Sequence, residues 1–400
     1  MTGAQAPLAG TTVLALEQAL AGPLCTRHLG DLGARVIKIE RAGKGDLARS
    51  YDEAVFGESS YFVWLNRGKE SLALDLKHPG AELILARLVE KADVIVQNLG
   101  PGAVDRLGVG PDAVLGQYPD KIYCSISGYG DGGPYEHRKA FDLLLQAETG
   151  VIATTGSGDD MAKVGISIGD IGAGVYGAMA VLGAVIERAR TGQGQHVRSS
   201  LFDALSEWMG YPLYYTMYGG EPPVRAGVRH ATVVPYGAYR CGDGEQVLLA
   251  VQSEAQWIAF CRAVVLRPEW LDDPRFKTMT GRRTHRTALE SMIEEAFSEL
   301  TREAVTERLD RADVPYGDLN SIAQFAEHPQ LAARDRWRDA PVPGGVMRAL
   351  APPMGFSSFE PLMGAVPAVG EHSRPLLAEL GFDSAVTARL FDEGAVTSSQ

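Results

Sequence analysis

The sequence predicts an α/β protein with two domains: a large domain on a doubly wound parallel sheet, and a smaller α+β domain. Strand and helix patterns alternate over the first 200 residues, which is typical of successive βαβ units. A hairpin signal and three helical stretches follow only after residue 230. With 400 residues the chain is also too long for a single ordinary core.

The first βαβ unit spans about thirty residues, a usual length for this motif. Residues 12–16 form a short apolar strand, and Ala21-Gly22-Pro23 makes a turn. Residues 24–32 are amphipathic and predict a helix, and residues 35–39 alternate as a second strand. This unit is the expected entry to a parallel sheet.

The end of this unit resembles part of a dinucleotide site. A glycine turn precedes an acid, Glu40, at the end of the second strand. However, Gly-x-Gly-x-x-Gly is absent, since only Gly22 lies in the first turn, so NAD binding has weak support. Arg41 offers a cation where an NAD enzyme would hold the ribose, which suits a phosphorylated ribose better.

Further elements continue the alternation. The predicted strands are at residues 72–76, 94–97, 122–125 and 196–201, and the predicted helices are at 80–91, 202–209 and from 141 onward. Ligands bind beyond the carboxyl ends of such strands, so the turn Asn98-Leu99-Gly100-Pro101-Gly102 should border the cleft. The glycine-rich segment 128–134 is either a plain loop or a loop that shapes itself around a ligand.

A run of sixteen residues without charge, 171–186, follows Asp170. Basic residues near its end and Gly192 predict a helix that stops there. Sixteen residues fall short of the roughly 20 that span a bilayer, and glycines favour tight packing between helices. We therefore predict a buried helix and no membrane partner.

Asp170 at the start of this helix has two interpretations. Aspartate is a preferred N-cap, and its charge suits the positive end of the helix dipole. Alternatively, free N–H groups and the dipole keep the carboxylate ionised, and flanking glycines leave room for a bulky substrate. A carboxylate held in this way can act as a covalent nucleophile.

The small domain is expected after a boundary near residues 210–230, where the chain becomes aromatic and glycine-rich. This gives a large domain over 1–210, a linker over 211–230 and a small domain over 231–325. Its predicted elements are a hairpin of residues 236–239 and 247–251 around Gly242-Asp243-Gly244, and helices at 255–264, 288–298 and 301–312. Residues 341–367 alternate only weakly, and 374–380 predict a closing helix.

Composition excludes several classes of partner. A net charge of −12 argues against nucleic acid as the main partner. Residues 1–10 carry no basic flank followed by an apolar stretch, so we expect no secretory leader. Cys25, Cys124, Cys241 and Cys261 are far apart, and free thiols in a cytoplasmic protein are the expectation.

Seven short motifs are distributed over nearly the whole chain: Ala21-Gly22-Pro23, Leu32-Gly33-Ala34-Arg35-Val36-Ile37-Lys38-Ile39-Glu40-Arg41, Asn98-Leu99-Gly100-Pro101-Gly102, Gly169-Asp170, Gly192-Gln193-Gly194-Gln195, Phe202-Asp203-Ala204 and Gly370-Glu371-His372. Each is weak alone. In this order and spacing they resemble the family III CoA-transferases, the group that includes formyl-CoA transferase and carnitine CoA-transferase.

The resemblance implies a Rossmann-like large domain and a homodimer whose subunits are interlocked rings. Residues 326–400 would then be a linker and a C-terminal segment that returns to the large domain. The resemblance also implies coenzyme A as an acyl-CoA substrate, no metal, and Asp170 as the nucleophile.

Carrying the family positions over gives six residues near CoA: Leu20, Arg41, Asn98, Arg106, Leu107 and Lys139. Arg41 would lie near the adenosine phosphates, the other polar residues along the nucleotide, and the two leucines against the cofactor. Without the resemblance, the three cations would be interpreted as solvated surface. Leu20 stands where formyl-CoA transferase has a polar residue, which argues against the same substrate.

The implied reaction moves CoA from an acyl-CoA donor, with succinyl-CoA expected, to a small carboxylic acid. Asp170 would pass through a mixed anhydride and an aspartyl-CoA thioester, because only an activated acid can carry acyl and CoA in turn. Arg225, Arg229 and His230 could hold a second carboxylate, which favours a dicarboxylate acceptor, or they are simply a solvated linker.

Three other functions compete with this one. An α-methylacyl-CoA racemase pairs the matching aspartate with a histidine, but Phe141 stands at that position. We therefore keep the racemase as the alternative within the superfamily. An NAD-linked oxidoreductase and a non-enzymatic CoA-binding protein are the alternatives outside it.

Overall fold

The computed structural model describes residues 5–398. The first four residues of the 1–10 stretch, used to judge a leader, lie outside the described residues. The chain divides into two compact units. The first consists of Met1–Thr149, Val164–Met209 and Ala333–Gln400, and the second of Gly150–Lys163 and Gly210–Ala332. Gly150–Lys163 falls within residues 1–210, and the predicted domain boundaries stay predictions.

The strands are short and most belong to the first unit. They are β1 Thr12–Leu16, β2 Arg35–Glu40, β3 Lys69–Leu74, β4 Val94–Gln97, β5 Ile122–Ser127, β6 Gly156–Ser157, β7 Asp160–Met161, β8 His196–Ser200, β9 Tyr236–Arg240, β10 Gln246–Ala250, β11 Tyr316–Gly317, β12 Trp337–Val342, β13 Gly345–Leu350 and β14 Val396–Thr397.

The helices vary from one turn to almost seven. They are α1 Ala21–Asp31, α2 Ser60–Asn66, α3 Ala81–Lys91, α4 Ala103–Arg106, α5 Pro111–Gln117, α6 Asp142–Glu148, α7 Val151–Thr154, α8 Ile168–Thr191, α9 Leu201–Trp208, α10 Gly210–Gly219, α11 Glu254–Ala259, α12 Met279–Thr284, α13 Arg286–Phe297, α14 Arg302–Arg311, α15 Ile322–Ala326, α16 Pro329–Ala333, α17 Ser373–Glu379 and α18 Ser384–Asp392.

The first unit is built on one sheet of seven strands, in the order β14-β3-β2-β1-β4-β5-β8. All neighbouring pairs are parallel except β14 with β3. The predicted parallel sheet in an α/β fold is thus confirmed. Strand β1 lies in the middle, and the chain winds from it first toward β3 and then back toward β8. The order therefore reverses between β1 and β4.

Both faces of this sheet are covered, as a parallel sheet requires. Leu14, Ile37 and Ile95 pack in a cluster with side chains of α3 and α17. On the opposite face, α1 and α8 pack against each other and α8 also packs against β5. The strands consequently carry almost continuous apolar sequence instead of a strict alternation.

Helix α8 is longer than the sequence predicts. It covers 24 residues, because Ile168–Asp170 and Glu187–Thr191 are also helical. Of the helices in the described part of the chain, α8 is the one that is long and apolar enough to cross a membrane by those two criteria. The argument from length is therefore wrong, and what supports a core position is how the helix packs.

The glycines of α8 bring it close to its neighbours. A Cβ at Gly174 would lie 2.7 Å from the carbonyl oxygen of Ala21, and one at Gly172 would lie 2.9 Å from Trp208. The sequence predicts a helix that is buried all round, but one side of α8 is exposed. Met179 and Ile186 on its other side are 58% and 73% exposed.

The last part of the chain belongs to the first unit and holds two elements that the sequence does not predict. β12 and β13 pair as an antiparallel hairpin. β14 adds a two-residue edge strand to β3. Within the predicted linker 211–230, residues up to Gly219 belong to helix α10, none of whose residues is buried.

The second unit has its own core. The predicted hairpin is confirmed as β9 and β10, which pair antiparallel, with β11 on the other side of β10. Trp257, Phe260 and Phe297 are fully buried between this sheet and its helices. The predicted helix over 255–264 is continued after α11 by a π-helical turn, Phe260–Val264.

Candidate functional site

Four loops meet along the carboxyl edge of the large sheet. β2, β1, β4 and β5 are neighbours and parallel, so the residues that follow them lie along one edge. Arg41 follows β2, Leu20 follows β1, Asn98 follows β4, and Lys139 lies in the loop after β5. Such an edge, at the point where strand order reverses, is where open α/β sheets bind ligands.

Asn98 holds the loop between β1 and α1. Its Oδ1 accepts a hydrogen bond from the N–H of Gln18, and its Nδ2 donates to the Gln18 carbonyl, both at 2.9 Å. A Cβ at Gly22 would lie 2.9 Å from Asn98 Cγ, which explains the glycine in that turn. Asn98 therefore positions the loop that carries Leu20, in addition to its predicted place along the nucleotide.

A buried network of charges lies beneath this loop, and the sequence does not predict it. Glu17 bonds to Lys69 at 2.7 Å and to Lys38 at 3.3 Å, and Lys38 also bonds to Asp46 at 2.7 Å. Asp46 Oδ1 accepts from the N–H of Ala19 at 2.9 Å. Two carboxylates and two ammonium groups thus neutralise each other and fix the residue before Leu20.

The pKa values in this network follow from burial and pairing. Burial alone would raise the pKa of Glu17, but Lys69 and Lys38 hold it below the usual value. Burial lowers the pKa of Lys69 to about 8, against the attraction of Glu17. Removing one member would leave an uncompensated buried charge, which destabilises proteins by about 3–5 kcal/mol.

The three predicted CoA-binding cations are exposed. The side chains of Arg41, Arg106 and Lys139 form no hydrogen bond or ion pair with any residue that the structure describes. Lys44, in the same turn as Arg41, is likewise exposed and unpaired within that part of the chain. Free cations at a ligand-binding edge fit a polyphosphate ligand. Leu107 is half-buried against the core.

Asp170 is the third residue of α8 and does not cap it. The helix begins at Ile168, and Ser167 at the N-cap position makes no side-chain cap hydrogen bond. The carboxylate of Asp142 takes the capping role, because its Oδ1 accepts from the N–H of Gly169 at 2.7 Å and of Asp170 at 3.4 Å. Within residues 5–398, the Asp170 carboxylate itself has no hydrogen-bond partner.

The surroundings of Asp170 oppose its ionisation. Burial raises the pKa of Asp170 to about 7, and the negative charge of Asp142 contributes in the same direction. Burial and Asp142 therefore oppose the ionised form that the helix end is expected to favour. A carboxylate with such a raised pKa is typical of a functional site.

Asp142 also orders the segment that leads into α8. Its Oδ2 accepts from Nε2 of Gln146 at 2.6 Å. Gln146 is fully buried, and its Oε1 accepts from the N–H of Val164 at 2.9 Å. The sequence places Asp142 directly after Phe141, and none of the sequence patterns described above indicates its role.

Two aromatic residues belong to the same region. Burial and the charges of Asp46 and Asp170 raise the pKa of Tyr51, so this phenol lies within electrostatic range of Asp170. Phe141, at the position of the racemase histidine, is 67% exposed. An exposed phenyl ring offers no second base.

The three residues considered for a second carboxylate are already engaged in the second unit. Arg225 donates to the carbonyls of Gly158 and Ala153. Arg229 pairs with Glu290 and Glu294. His230 stacks on the ring of Tyr236, and its Nδ1 accepts from the N–H of Val233 at 3.0 Å. All three side chains therefore already have partners within the second unit, and this does not support their predicted role in binding a second carboxylate.

Comparison with known proteins decides between the alternatives. The sequence profile of CoA-transferase family III matches residues 8–373. The chain belongs to CoA-transferase family III. An acetyl-CoA:oxalate CoA-transferase from Acetobacter aceti is 36% identical over 85% of this chain and 87% of its own length. A succinyl-CoA:glutarate CoA-transferase from Mus musculus is 31% identical over 98% of this chain and 90% of its own.

The fold has the same relatives. The crystal structure of a CAIB/BAIF family protein from Brucella suis superposes with a TM-score of 0.82 at 32% identity, and the match covers 94% of this chain and all of that one. This family III protein is therefore a CoA-transferase, an enzyme whose substrates are CoA thioesters. The racemase alternative is not favoured, because the relatives named above are transferases and Phe141 supplies no base.

Among the described residues, no cluster of three or more histidine, cysteine or acidic side chains could hold a metal ion.

Proposed function

We propose that this enzyme moves CoA from succinyl-CoA to a small dicarboxylic acid through covalent intermediates on Asp170. The names of the relatives support both halves: one uses succinyl-CoA, and their acceptors are oxalate and glutarate. The observation that carries the proposal is the partly buried carboxylate of Asp170, with a pKa raised to about 7, at the start of α8.

The proposed reaction has four displacement steps. An oxygen of Asp170 attacks the thioester carbonyl and expels CoA thiolate, leaving a mixed anhydride. The thiolate attacks the aspartyl carbonyl and releases succinate, leaving an aspartyl-CoA thioester. The acceptor carboxylate then expels the thiolate to form a second anhydride. The thiolate attacks the acceptor's acyl carbon and regenerates the Asp170 carboxylate.

The residues around Asp170 have separate tasks in this scheme. Arg41, Arg106 and Lys139 would pair with the phosphates of CoA, since each is exposed and unpaired in the part of the chain described. Backbone N–H groups at the start of α8 would stabilise the oxyanion, and removing one such donor typically slows a reaction ~10²–10³-fold. Raising the pKa of Asp170 makes it a better nucleophile once it is ionised.

A panel of acids tests the substrate class. The enzyme with succinyl-CoA is offered oxalate, glutarate and other dicarboxylates alongside monocarboxylates, and the thioesters are identified by mass spectrometry. We expect new thioesters only with dicarboxylates. Transfer confined to monocarboxylates would overturn the dicarboxylate proposal, and exchange of an α-proton with deuterated water would point to the racemase.

A trapping experiment tests the nucleophile. Hydroxylamine or borohydride added during turnover should modify Asp170, as located by peptide mass spectrometry. Asp170→Asn should abolish both transfer and trapping. Glu303→Gln is the matched control, because Glu303 is an exposed acid in the first turn of α14. Normal turnover by Asp170→Asn would refute the covalent mechanism.

We infer that the enzyme works as a homodimer of interlocked subunits. Met179 and Ile186 of α8 in the first unit are exposed apolar side chains, and so are Tyr214 and Tyr218 of α10 in the second unit. Each pair by itself supports contact with a partner subunit. Sedimentation should give the mass of two chains at all working concentrations. If the subunits are interlocked, tagged and untagged dimers should not exchange chains without unfolding, and rapid exchange would contradict the topology.

A further inference from the structure

The turn that carries Arg41 is short and exposed. The carbonyl oxygen of Arg41 accepts hydrogen bonds from the N–H groups of Lys44 at 3.3 Å and Gly45 at 2.8 Å. Gly43 at its tip has a positive φ of 71°, which favours glycine. The turn therefore presents two cations, Arg41 and Lys44. Its own hydrogen bonds would by themselves order it only weakly.

A residue 354 positions further along the chain holds the tip of this turn. Oγ1 of Thr397 accepts a hydrogen bond from the N–H of Gly43 at 2.8 Å. Thr397 is itself held on both sides, since it pairs with Ala73 of β3 and its carbonyl accepts from the Ser373 hydroxyl at 2.8 Å. Val396 before it is fully buried.

The base of the turn is held by the same part of the chain. Glu40, directly before Arg41, accepts from the Ser71 hydroxyl at 2.6 Å, and Ser71 Oγ accepts from the N–H of Gly370 at 2.8 Å. Arg49 also pairs with Glu40 at 2.8 Å. Glu40 is thus linked to the end of the chain indirectly, through Ser71 and Gly370, whereas Gly43 is linked to it directly through Thr397.

We propose that Thr397 is a positioning residue for CoA: its hydroxyl sets the turn so that Arg41 and Lys44 are ordered before the ligand binds. The inference rests on the proposed function, in which Arg41 meets the adenosine phosphates. An ordered cationic turn loses less conformational entropy on binding than a free one, so the affinity for CoA is higher.

The strand pairing alone does not explain the hydroxyl. The backbone bonds between β14 and β3 need no side chain, and a valine would fill the same space with equal strand propensity. What the threonine adds is an acceptor for the Gly43 N–H. Replacing it by valine leaves that N–H without its partner and frees the turn.

Two substitutions at one position separate positioning from packing. Thr397→Val should weaken CoA binding about three- to tenfold, as measured by calorimetry, and raise KM for acyl-CoA without changing kcat. KM for the acceptor acid should not change. Thr397→Ser, which restores the hydroxyl, should regain wild-type affinity. Combined with both Arg41→Gln and Lys44→Gln, Thr397→Val should add no further loss, because no cation of the turn then remains to be positioned.

Amide exchange distinguishes failure of this inference from failure of the proposed function. A peptide that contains Gly43 should exchange faster with deuterated water in Thr397→Val than in the wild type or in Thr397→Ser. Unchanged exchange, or equal CoA affinity in all three proteins, overturns the inference even if transfer proceeds. Absence of transfer by the wild type, with the exchange difference present, overturns only the proposed function.

Discussion

Asp142 acts on Asp170 in two ways. Its Oδ1 accepts hydrogen bonds from the N–H groups of Gly169 and Asp170, at 2.7 and 3.4 Å. Its negative charge adds to the effect of burial, and the pKa of Asp170 rises to about 7. The group that completes the helix end therefore also keeps part of the free enzyme in the protonated, non-nucleophilic form at neutral pH.

The rate of transfer should increase with pH through about 7. Only the ionised Asp170 attacks, and its pKa is raised to about 7, mainly by burial. Below that value kcat/KM should fall about tenfold for each pH unit, and above it the rate should level off. The measurement is kcat/KM for succinyl-CoA from pH 5 to 9. A flat profile across pH 6 to 8 would contradict the raised pKa.

Asp142→Asn should move this profile toward lower pH. It removes the like charge that raises the pKa of Asp170, whereas burial, the larger cause, remains. The asparagine oxygen can still accept from Gly169, but its amide then faces the Nε2 donor of Gln146. We expect a loss of about 1–3 kcal/mol in the free energy of unfolding. If the midpoint of the pH profile of kcat/KM stays in place or rises in Asp142→Asn, the electrostatic coupling between Asp142 and Asp170 is disproved.

Asp170→Asn should stabilise the free enzyme at neutral and basic pH while abolishing transfer. The folded-state pKa of Asp170 is raised from 3.8 to about 7. The wild-type protein therefore loses free energy of unfolding as the pH rises from about 4 through 7, because Asp170 must ionise in a buried site, and the Asp170→Asn protein does not. The gain should be absent near pH 4 and reach at most about 4 kcal/mol above pH 7.

Thermal unfolding of both proteins at pH 4, 6 and 8 measures this difference. Glu303→Gln again serves as the control, since Glu303 is exposed at the start of another helix and should show no such trend. A constant difference between Asp170→Asn and the wild type at all three pH values would mean that the substitution acts through packing instead of charge.

Alanine should have opposite effects at two helical glycines, one closely packed in α8 and one exposed in α5. At Gly174 a Cβ would lie 2.7 Å from the backbone oxygen of Ala21, so α1 must shift. We expect Gly174→Ala to lower the free energy of unfolding by about 1–3 kcal/mol. At Gly116 of α5 nothing lies within 4 Å of the added atom, so Gly116→Ala should raise it by up to about 1 kcal/mol. Urea titrations compare the two, and equal effects would contradict the packing.

The predicted contact between Arg41 and CoA can be assigned to a phosphate. Arg41→Gln should raise KM for acyl-CoA about tenfold, because charge-assisted hydrogen bonds contribute about 1.5–3 kcal/mol. With a substrate that lacks the 3′-phosphate, wild type and variant should become alike if that phosphate is the partner. Arg311→Gln, at an exposed arginine of α14, is the control. An Arg41→Gln enzyme with wild-type KM would remove Arg41 from the site.

The order of strands and helices could be predicted because local pattern and tertiary structure agree there. Residues 12–16 were predicted as a strand from their apolar sequence, and β1 has the same bounds. The hairpin around Gly244 was predicted from its turn chemistry, and Gly244 has a φ of 86°. The apolar run and the turn sequence each lie within fewer than about ten neighbouring residues, so each can be recognised without knowledge of distant contacts.

The structural features missed by sequence depend on partners far away. β14 has two residues and exists only because β3 offers an open edge. Asp142 caps a helix that begins 26 positions after it, so no local capping pattern includes both. The network joins Glu17, which follows β1, to Lys38 of β2 and Lys69 of β3, and burial of such charges opposes the usual tendency of lysine to remain exposed.

The return of the chain to β3 has a consequence for the order of folding. The chain leaves the first unit at Met209 and rejoins it at Ala333, so contacts such as that between Ser71 and Gly370 close a loop of about 300 residues. Contacts this distant form slowly, because the entropy of loop closure opposes them. In the interlocked dimer proposed above, the second chain would have to pass through this loop before the final segment docks.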